Sequence, residues 1–134
     1  MTAMFQNCNE LEYLDLTNFN TSNVTEMNNM FDECNNLKYI KGINNFNTFK
    51  VTNMYAMFGG CKKLESLELT NFNTANVTDM AFMFNDCHKL KEIKGINNFN
   101  TSKVTNMNGM FDGCREIENL ELTSFNTCNV ISMS

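Results

Sequence analysis

The sequence contains six cysteines, which are its most chemically versatile residues because thiolates bind metals, form disulfides and attack electrophiles. Five of them follow a Met-Phe-x-x sequence and recur at intervals of 26, 27, 26 and 27 residues: Cys8, Cys34, Cys61, Cys87 and Cys114. No Cys-x-x-Cys pair occurs, so a zinc site is not indicated. The long fixed period favours one core position repeated, where cysteine acts as a small buried hydrophobe. We expect these thiols to be reduced and shielded, and Cys128, which lies outside the series, to be accessible.

The charged side chains form two rows rather than a catalytic group. One row contains Glu12, Lys38, Glu65, Lys91 and Glu118, and the other contains Asp15, Lys41, Glu68, Lys94 and Glu121. A general acid or base needs a distinctive environment, whereas each carboxylate here is one of a repeating set. His88 is the single histidine, and neither a nucleophile–histidine constellation nor a Gly-rich phosphate loop is found. We therefore expect no enzyme, no cofactor and no metal site.

An internal repeat that covers nearly the whole chain arranges these residues. We predict one domain, residues 1–134, in which units 1 to 5 span residues 4–29, 30–56, 57–82, 83–109 and 110–134. Two kinds of unit alternate, and the second kind, in units 2 and 4, has one extra residue that coincides with Gly42 and Gly95. Glycine tolerates the backbone angles of a bulge or an extra turn residue, so we expect such a feature at both positions. Because the chain begins and ends inside a repeat, we expect it to be a fragment of a longer array.

Each unit combines three local patterns. In unit 1, Leu14 and Leu16 alternate with Tyr13 and Asp15, which is the period-2 pattern of a strand with one wet face. An Asn-Phe-Asn-Thr type of segment follows, which indicates a turn whose phenylalanine fills the core. These phenylalanines are Phe19, Phe46, Phe72, Phe99 and Phe125. The apolar residues between positions 24 and 34 are mostly spaced by three or four, which predicts a short helix or a run of 3₁₀ turns.

One unit of this kind cannot bury an apolar core alone, but stacked units can. Parallel strands in a stack lie about 4.8 Å apart, so equivalent residues of successive units become neighbours. Both charged rows then place acid beside base at every step, which supports stacking in this order. The sequence therefore predicts an α/β solenoid of five stacked units, each with a short parallel strand, a turn and a short helical or 3₁₀ segment.

Charge and hydropathy argue against several classes of partner. The net charge of −5 and the lack of a Lys/Arg-rich run argue against nucleic acid. No stretch approaches the roughly 18 apolar residues of a membrane span, so no membrane insertion is expected. Residues 1–8 contain neither the basic region nor the apolar region of a signal peptide.

The pattern Met-Phe-x-x-Cys-x-x-Leu-x-x-Leu-x-Leu, followed by Asn-Phe-Asn-Thr-Ser-Asn-Val-Thr, resembles the BspA-like leucine-rich-repeat family of bacterial surface proteins. The resemblance runs from Met4 to Met133 and departs from the usual unit at Gly42, at Gly95 and at the lysines of units 2 and 4. It implies a leucine-rich-repeat solenoid at the cell surface or outside the cell in the parent protein. It also implies attachment to a protein of a host or neighbouring cell, or of the matrix, and it supplies no active site.

The outward strand face is the candidate protein-binding surface, because exposed aromatic residues beside charges often dominate interfaces. Its residues are Tyr13, Asp15, Tyr39, Lys41, Ser66, Glu68, Glu92, Lys94, Asn119 and Glu121. Alternatively the same face is merely solvated, and the chain is a structural spacer in a repeat array.

Two further expectations concern other surfaces of the stack. The column Thr21, Thr48, Thr74, Thr101 and Thr127 favours an internal hydrogen-bond ladder over an ice-binding surface. The apolar terminal units favour end-to-end self-association, because open strand edges invite pairing.

Overall fold

Short strands and turns make up the computed structural model, which describes residues 1–133. The strands are β1 (Tyr13–Asp15), β2 (Tyr39–Lys41), β3 (Ser66–Glu68) and β4 (Glu92–Lys94), and two 3₁₀ turns cover Ile43–Asn45 and Ile96–Asn98. Each strand lies where the period-2 pattern placed it in units 1 to 4. The equivalent residues of unit 5 form no strand, and residues 1–133 contain no α-helix.

The strands pair in parallel, β1 with β2 and β3 with β4. The register places Tyr13 opposite Tyr39 and Ser66 opposite Glu92, so each residue faces the equivalent residue of the next predicted unit. No pairing joins β2 to β3, and the four strands therefore form two separate two-stranded sheets.

A second series of parallel bridges runs along another line of the stack. It joins Glu26 to Asn53, Asn53 to Asp79, Asp79 to Asn106, and Asn106 to Ser132. These bridges continue through all the predicted units, including the junction at which the strands do not pair. The stacked, parallel connection of equivalent residues is that of a repeat solenoid.

The segment predicted as a short helix is instead a run of turns, and the helical alternative is wrong. The Met30 N–H donates to the Met27 carbonyl oxygen at 3.3 Å, which is an i to i−3 turn bond, but its neighbours point elsewhere. Asn29 N–H donates to Tyr55 oxygen at 2.8 Å, and Phe31 N–H donates to Met57 oxygen at 2.9 Å. Because alternate N–H groups bond to the next unit, the i to i−4 ladder of an α-helix cannot form.

Gly42 and Gly95 have the special backbone conformation that the extra residue predicted. Their φ angles are 80° and 87°, in the left-handed region, and each directly precedes one of the 3₁₀ turns. A Cβ atom on Gly42 would lie 2.5 Å from the Thr17 backbone nitrogen, and one on Gly95 would lie 2.4 Å from the Thr70 Cα. Glycine is required for two reasons at these positions, the left-handed angle and the close approach of the preceding unit.

A column of stacked phenylalanine rings forms the centre of the core. Its members are Phe5, Phe31, Phe58, Phe84 and Phe111, whose successive ring centroids lie 5.6, 5.4, 5.7 and 5.5 Å apart. The interplanar angles do not exceed 9°, so the rings lie face to face with an offset, as aromatic pairs prefer. Burying one such side chain stabilises the fold by about 1.5–3 kcal/mol, so the column is a large share of the packing energy.

The second set of phenylalanines, in the Asn-Phe-Asn-Thr segments, fills the core in the interior units as predicted. Phe46, Phe72 and Phe99 are at most 4% exposed. Phe19 is 37% exposed, so the prediction is wrong at this residue. The reason is that Phe19 belongs to unit 1 and is packed against a neighbouring unit on one side alone, and Phe125 in unit 5 is likewise only partly buried.

The threonine column is an internal hydrogen-bond ladder, as expected, and four of its members are buried: Thr21, Thr48, Thr74 and Thr101. The Thr21 hydroxyl accepts from the Asn47 N–H at 2.8 Å and donates to the Asn47 carbonyl oxygen at 3.2 Å. The same two bonds recur between each of the other three threonines and the following unit. An ice-binding role for this column is therefore ruled out, because the four hydroxyls are at most 2% exposed.

Candidate interaction surface

The outward strand face presents a pair of stacked tyrosines. Tyr13 on β1 and Tyr39 on β2 are 51% and 52% exposed, and their ring centroids lie 5.8 Å apart with an interplanar angle of 25°. The parallel register of β1 and β2 places the two residues directly opposite each other. Two large aromatic faces are thus held side by side in solvent by regular strand pairing, with no rearrangement needed to present them to a partner.

Ion pairs connect the charged rows between units 1 and 2. Lys38 Nζ lies 2.8 Å from Glu12 Oε2, and Lys41 Nζ lies 2.9 Å from Asp15 Oδ2. Hydrogen bonds from the Thr17 hydroxyl, and then from Lys41, lower the pKa of Asp15 to about 2. The Lys38 hydrogen bond likewise lowers the pKa of Glu12. Both carboxylates are therefore ionised and committed to neighbouring side chains at neutral pH.

The alternating charges are neighbours in units 3 and 4 as well, but they do not pair in the same way. Glu68 lies opposite Lys94 in the register, yet its carboxylate accepts a hydrogen bond from the Thr70 hydroxyl. Lys94 Nζ lies 4.0 Å from Glu92 of its own strand, and Lys91 Nζ lies 3.9 Å from Glu116. Exposed ion pairs are weak, so a local hydrogen bond competes with them successfully. The adjacency is confirmed, and the expectation of a favourable pair at every step is wrong.

A groove of about 500 Å³ opens on this face at the junction of units 2 and 3. Six candidate residues line it: Tyr39, Lys41, Ser66, Glu68, Glu92 and Lys94. No hydrogen bond between main-chain atoms joins β2 to β3 in the described chain. A side chain from the 3₁₀ turn that follows Gly42 connects units 2 and 3 instead. The Asn71 N–H donates to Asn44 Oδ1 at 2.9 Å.

The remaining candidate residues lie outside the groove. Tyr13 and Asp15 are on β1, at the edge of the same face. Asn119 and Glu121 are exposed but belong to no strand, so unit 5 does not extend the face as the repeat predicted. In the described chain, the backbone bond nearest to β4 from unit 5 is a long one, from the Glu118 N–H to the oxygen of Lys91, the residue before β4, at 3.4 Å. The structure therefore brings together the residues of β2, β3 and β4.

The thiols do not form a reactive group. Cys34, Cys61 and Cys87 are buried, and each donates its S–H to a phenylalanine carbonyl oxygen of the preceding unit at 3.0–3.3 Å. Burial raises the pKa of Cys34 to about 11 and also raises the pKa of Cys61 and of Cys87 well above the ordinary value, so their thiolate population is negligible at neutral pH. The prediction that Cys128 alone is accessible is wrong, because Cys8 of unit 1 is exposed as well.

Four other features of the described chain bear on its chemistry. His88 Nε2 lies 3.2 Å from Asp86 Oδ1, a contact within one turn. No group of three metal-binding side chains converges within residues 1–133, and no helix there is long and apolar enough to cross a membrane. An apolar cleft of about 840 Å³ lies at the unit 5 end, lined in part by Phe111, Leu122 and Phe125.

Stacked parallel units with a continuous apolar core define this protein as a repeat solenoid. The chain belongs to the family described as "Mycoplasma protein of unknown function, DUF285", which matches residues 1–94 and 68–134. No curated protein matches the sequence.

Two solved structures are similar to part of the fold. A leucine-rich repeat protein from Eubacterium ventriosum is 16% identical with a TM-score of 0.46, and the match covers 89% of this chain and 34% of that one. A leucine rich cell surface protein from Faecalibacterium prausnitzii is 16% identical with a TM-score of 0.36, covering 81% and 38% of the two chains. The chain thus spans little more than a third of the length of either protein.

Proposed function

We propose that the chain is a non-catalytic protein-interaction module that binds its partner through the outward strand face. The observation that carries this proposal is the groove of about 500 Å³ between β2 and β3, beside the exposed Tyr13–Tyr39 pair. Surface display in the parent protein and membership of the BspA-like group belong to the same proposal, on the strength of the repeat pattern. The partner is then a protein of a host or neighbouring cell, or of the matrix.

The groove offers the two kinds of contact that protein partners use. Aromatic side chains such as Tyr39 supply large contact areas and are enriched among the residues that dominate binding energy. The facing edges of β2 and β3 form no backbone hydrogen bonds with each other within residues 1–133, so a peptide bound in the groove can form backbone hydrogen bonds with one of these edges. Charged residues on both walls, including Lys41 and Glu92, would then select the partner sequence.

A structural spacer is the alternative function, and a regular solenoid supports it since every unit packs on its neighbours. A binding assay separates the two. The protein is passed over an immobilised panel of matrix and cell-surface proteins, together with the variants Tyr39→Ala and Lys41→Glu. Phe49→Ala is the matched control, because Phe49 is 58% exposed and lies outside the groove.

The proposal requires saturable binding of at least one panel member that Tyr39→Ala weakens by about tenfold, as expected for a dominant aromatic contact of at least 1.4 kcal/mol. Phe49→Ala should bind like the wild type. If no panel protein binds, the spacer function is favoured. If Tyr39→Ala and Phe49→Ala weaken binding equally, the binding surface lies elsewhere.

End-to-end self-association is a further part of the proposal, and it uses the apolar cleft at the unit 5 end. Met133, which lines the cleft, is 66% exposed, and Ile131 of the same unit is 87% exposed. Covering such side chains is favourable by about 25 cal/mol per Å². Sedimentation at increasing concentration should therefore show species larger than a monomer, and a monomer at all concentrations would refute it.

A further inference from the structure

A second surface of the stack carries a strongly segregated charge. We name it the turn edge and define it as residues 26–33, 53–60, 79–86 and 106–113, which the bridges between units place side by side. It contains six carboxylates and no lysine, arginine or histidine: Glu26, Asp32, Glu33, Asp79, Asp86 and Asp112. The rest of the chain has nine carboxylates against ten lysines and arginines, so the net charge of −5 originates on the turn edge.

The two aromatic residues on the turn edge that project away from the core interrupt the repeat at neighbouring positions. Tyr55 stands where the other units have Thr2, Asn28, Ala81 and Asn108, and Phe82 where they have small residues or asparagine. The two rings meet edge to face, with centroids 5.7 Å apart and an interplanar angle of 71°. Neither is part of the central phenylalanine column, and Tyr55 is 37% exposed.

These two rings border a small cleft of about 260 Å³. Gly59 lines the cleft and has no side chain to fill it. A Cβ at this position would lie 3.0 Å from Asp32 Oδ1 and 3.4 Å from the Phe82 carbonyl oxygen. Asp32 and Asn85, which flank Gly59 in the neighbouring units, supply a carboxylate and an amide to the same cleft. The cleft therefore combines aromatic rings, a carboxylate and an amide in a space suited to one side chain rather than a larger ligand.

Phe82 adopts a backbone conformation that its side chain disfavours. Its φ angle is 57°, in the left-handed region that bulky residues rarely occupy. The equivalent residues Ala3, Asn29, Ala56 and Gly109 share this conformation, which therefore belongs to the repeat, and asparagine and glycine are the types that tolerate it best. The Phe82 ring lies over Gly109, where a Cβ would be 2.6 Å from a ring carbon. The turn that every unit shares thus fixes the Phe82 ring next to the cleft.

Asp32 has no cationic partner among residues 1–133. Its Oδ2 accepts a hydrogen bond from the neutral Gln6 amide at 2.8 Å. Burial raises the pKa of Asp32, and the adjacent Glu33 carboxylate adds to this effect. A half-buried carboxylate beside two aromatic rings on an acidic surface is an environment that a cation would stabilise.

We propose that the cleft formed by Asp32, Tyr55, Gly59, Phe82 and Asn85 binds the guanidinium group of an arginine that a basic partner protein presents. Guanidinium is planar, stacks on aromatic rings and is less strongly hydrated than an ammonium group. Its N–H donors match the Asp32 carboxylate and the Asn85 side-chain oxygen. The hydroxyl groups of a neutral sugar could donate to the same two oxygen acceptors, and the sugar could stack on the same aromatic rings. A neutral sugar, however, gains no attraction from the six carboxylates of the turn edge.

The test is an NMR titration of the isotope-labelled protein with N-acetyl-argininamide. N-acetyl-citrullinamide is the matched neutral probe, and methyl glucoside is the sugar probe. We expect saturable shifts at Tyr55, Phe82 and Gly59 with the arginine probe alone. Asp32→Asn and Tyr55→Ala should each weaken binding by about threefold or more, the size expected for one cation–π or charge contact.

One further site variant and two control variants separate this site from other effects. Phe82→Asn places a tolerant residue in the left-handed conformation, so it should weaken binding while leaving the fold intact. Phe49→Ala and the strand-face variant Tyr39→Ala should bind the arginine probe like the wild type, whether or not the strand face is a binding surface. Equal shifts from the citrulline or sugar probe, unsaturable shifts spread along all six carboxylates, or wild-type affinity in Asp32→Asn would each overturn the proposal.

Discussion

Gly42→Ala should destabilise the protein by an amount that follows from two features of the structure. The φ angle of 80° places alanine in the left-handed region, at a cost of roughly 1–2 kcal/mol for an L-residue. The added Cβ would also lie 2.5 Å from Thr17 N and 2.7 Å from Thr17 Cα, which are backbone atoms that cannot rotate away. Relieving this contact must shift unit 2 away from unit 1, so we expect a total loss of about 2–4 kcal/mol.

Urea unfolding followed by circular dichroism measures this loss as a lowered denaturation midpoint, and thermal unfolding should show a melting temperature lowered by roughly 3 °C per kcal/mol. Gly95→Ala should cost a similar amount, because its Cβ would lie 2.4 Å from Thr70 Cα, and the two losses should add. Gly59→Ala is the control, since it has no positive φ angle and its nearest contact is the movable Asp32 side chain. A loss below about 0.5 kcal/mol for Gly42→Ala, or equal to that of the control, would refute the close packing of units 1 and 2.

Three other predictions follow from the thiols and the charged rows. In the native protein, Cys8 and Cys128 should react with a thiol reagent quickly and the buried cysteines slowly, as mass spectrometry of labelled peptides would show; fast labelling of all six would contradict the core assignment. Lys41→Glu should lower the unfolding midpoint at low ionic strength because it places an acid opposite Asp15, and added salt should recover part of the loss. The folded-state pKa of Asp15, about 2, lies below its ordinary value of 3.8, so its stabilising contribution is present above about pH 4 and is lost as the pH falls towards 2. Asp15→Asn should flatten this part of the stability–pH curve, and an unchanged curve would contradict it.

The repeat predicted most of the fold because each unit must bury its apolar face on the next. The period-2 pattern placed Leu14 on the inward face of a strand, and the structure confirms this, since Leu14 is less exposed than its strand neighbours and pairs with the buried Ile40. The special role of Gly42 and Gly95 was predicted because each coincides with the one extra residue of units 2 and 4. A glycine that recurs at the same position of alternate units indicates a backbone angle that other residues disfavour.

The helical segment could not be predicted from its apolar spacing. A spacing of three or four is shared by an α-helix and by a stacked turn that has two left-handed residues per unit. In unit 2 the first of these residues is Glu33, with φ 58°, and in unit 4 it is Asp86, with φ 54°. Aspartate tolerates such an angle but also occurs widely elsewhere, and glutamate does not favour it, so the local sequence of these units contained no decisive signal. The bonds between units, which depend on neighbours 26 or 27 residues away, determine the conformation.

The candidate sites were predictable in unequal measure. The strand face followed from alternation along β1 and β2, but the groove did not, because it depends on the failure of β2 and β3 to pair. The cleft on the turn edge had a signal in Tyr55 and Phe82, which break columns of small and polar residues. The sequence alone could not show a binding site here, because the site depends on the contact between the two rings and on the space beside Gly59.

The claim that the strand face is the binding surface is tested most directly by hydrogen–deuterium exchange. The measurement compares the free protein with its complex with a matrix or cell-surface protein that bound in the panel assay. The proposal predicts that the partner slows exchange in residues 39–45 and 66–70, which border the groove, and leaves residues 79–86 on the turn edge unchanged. Protection confined to the turn edge or to the apolar cleft of unit 5, with residues 39–45 and 66–70 exchanging as in the free protein, would contradict it.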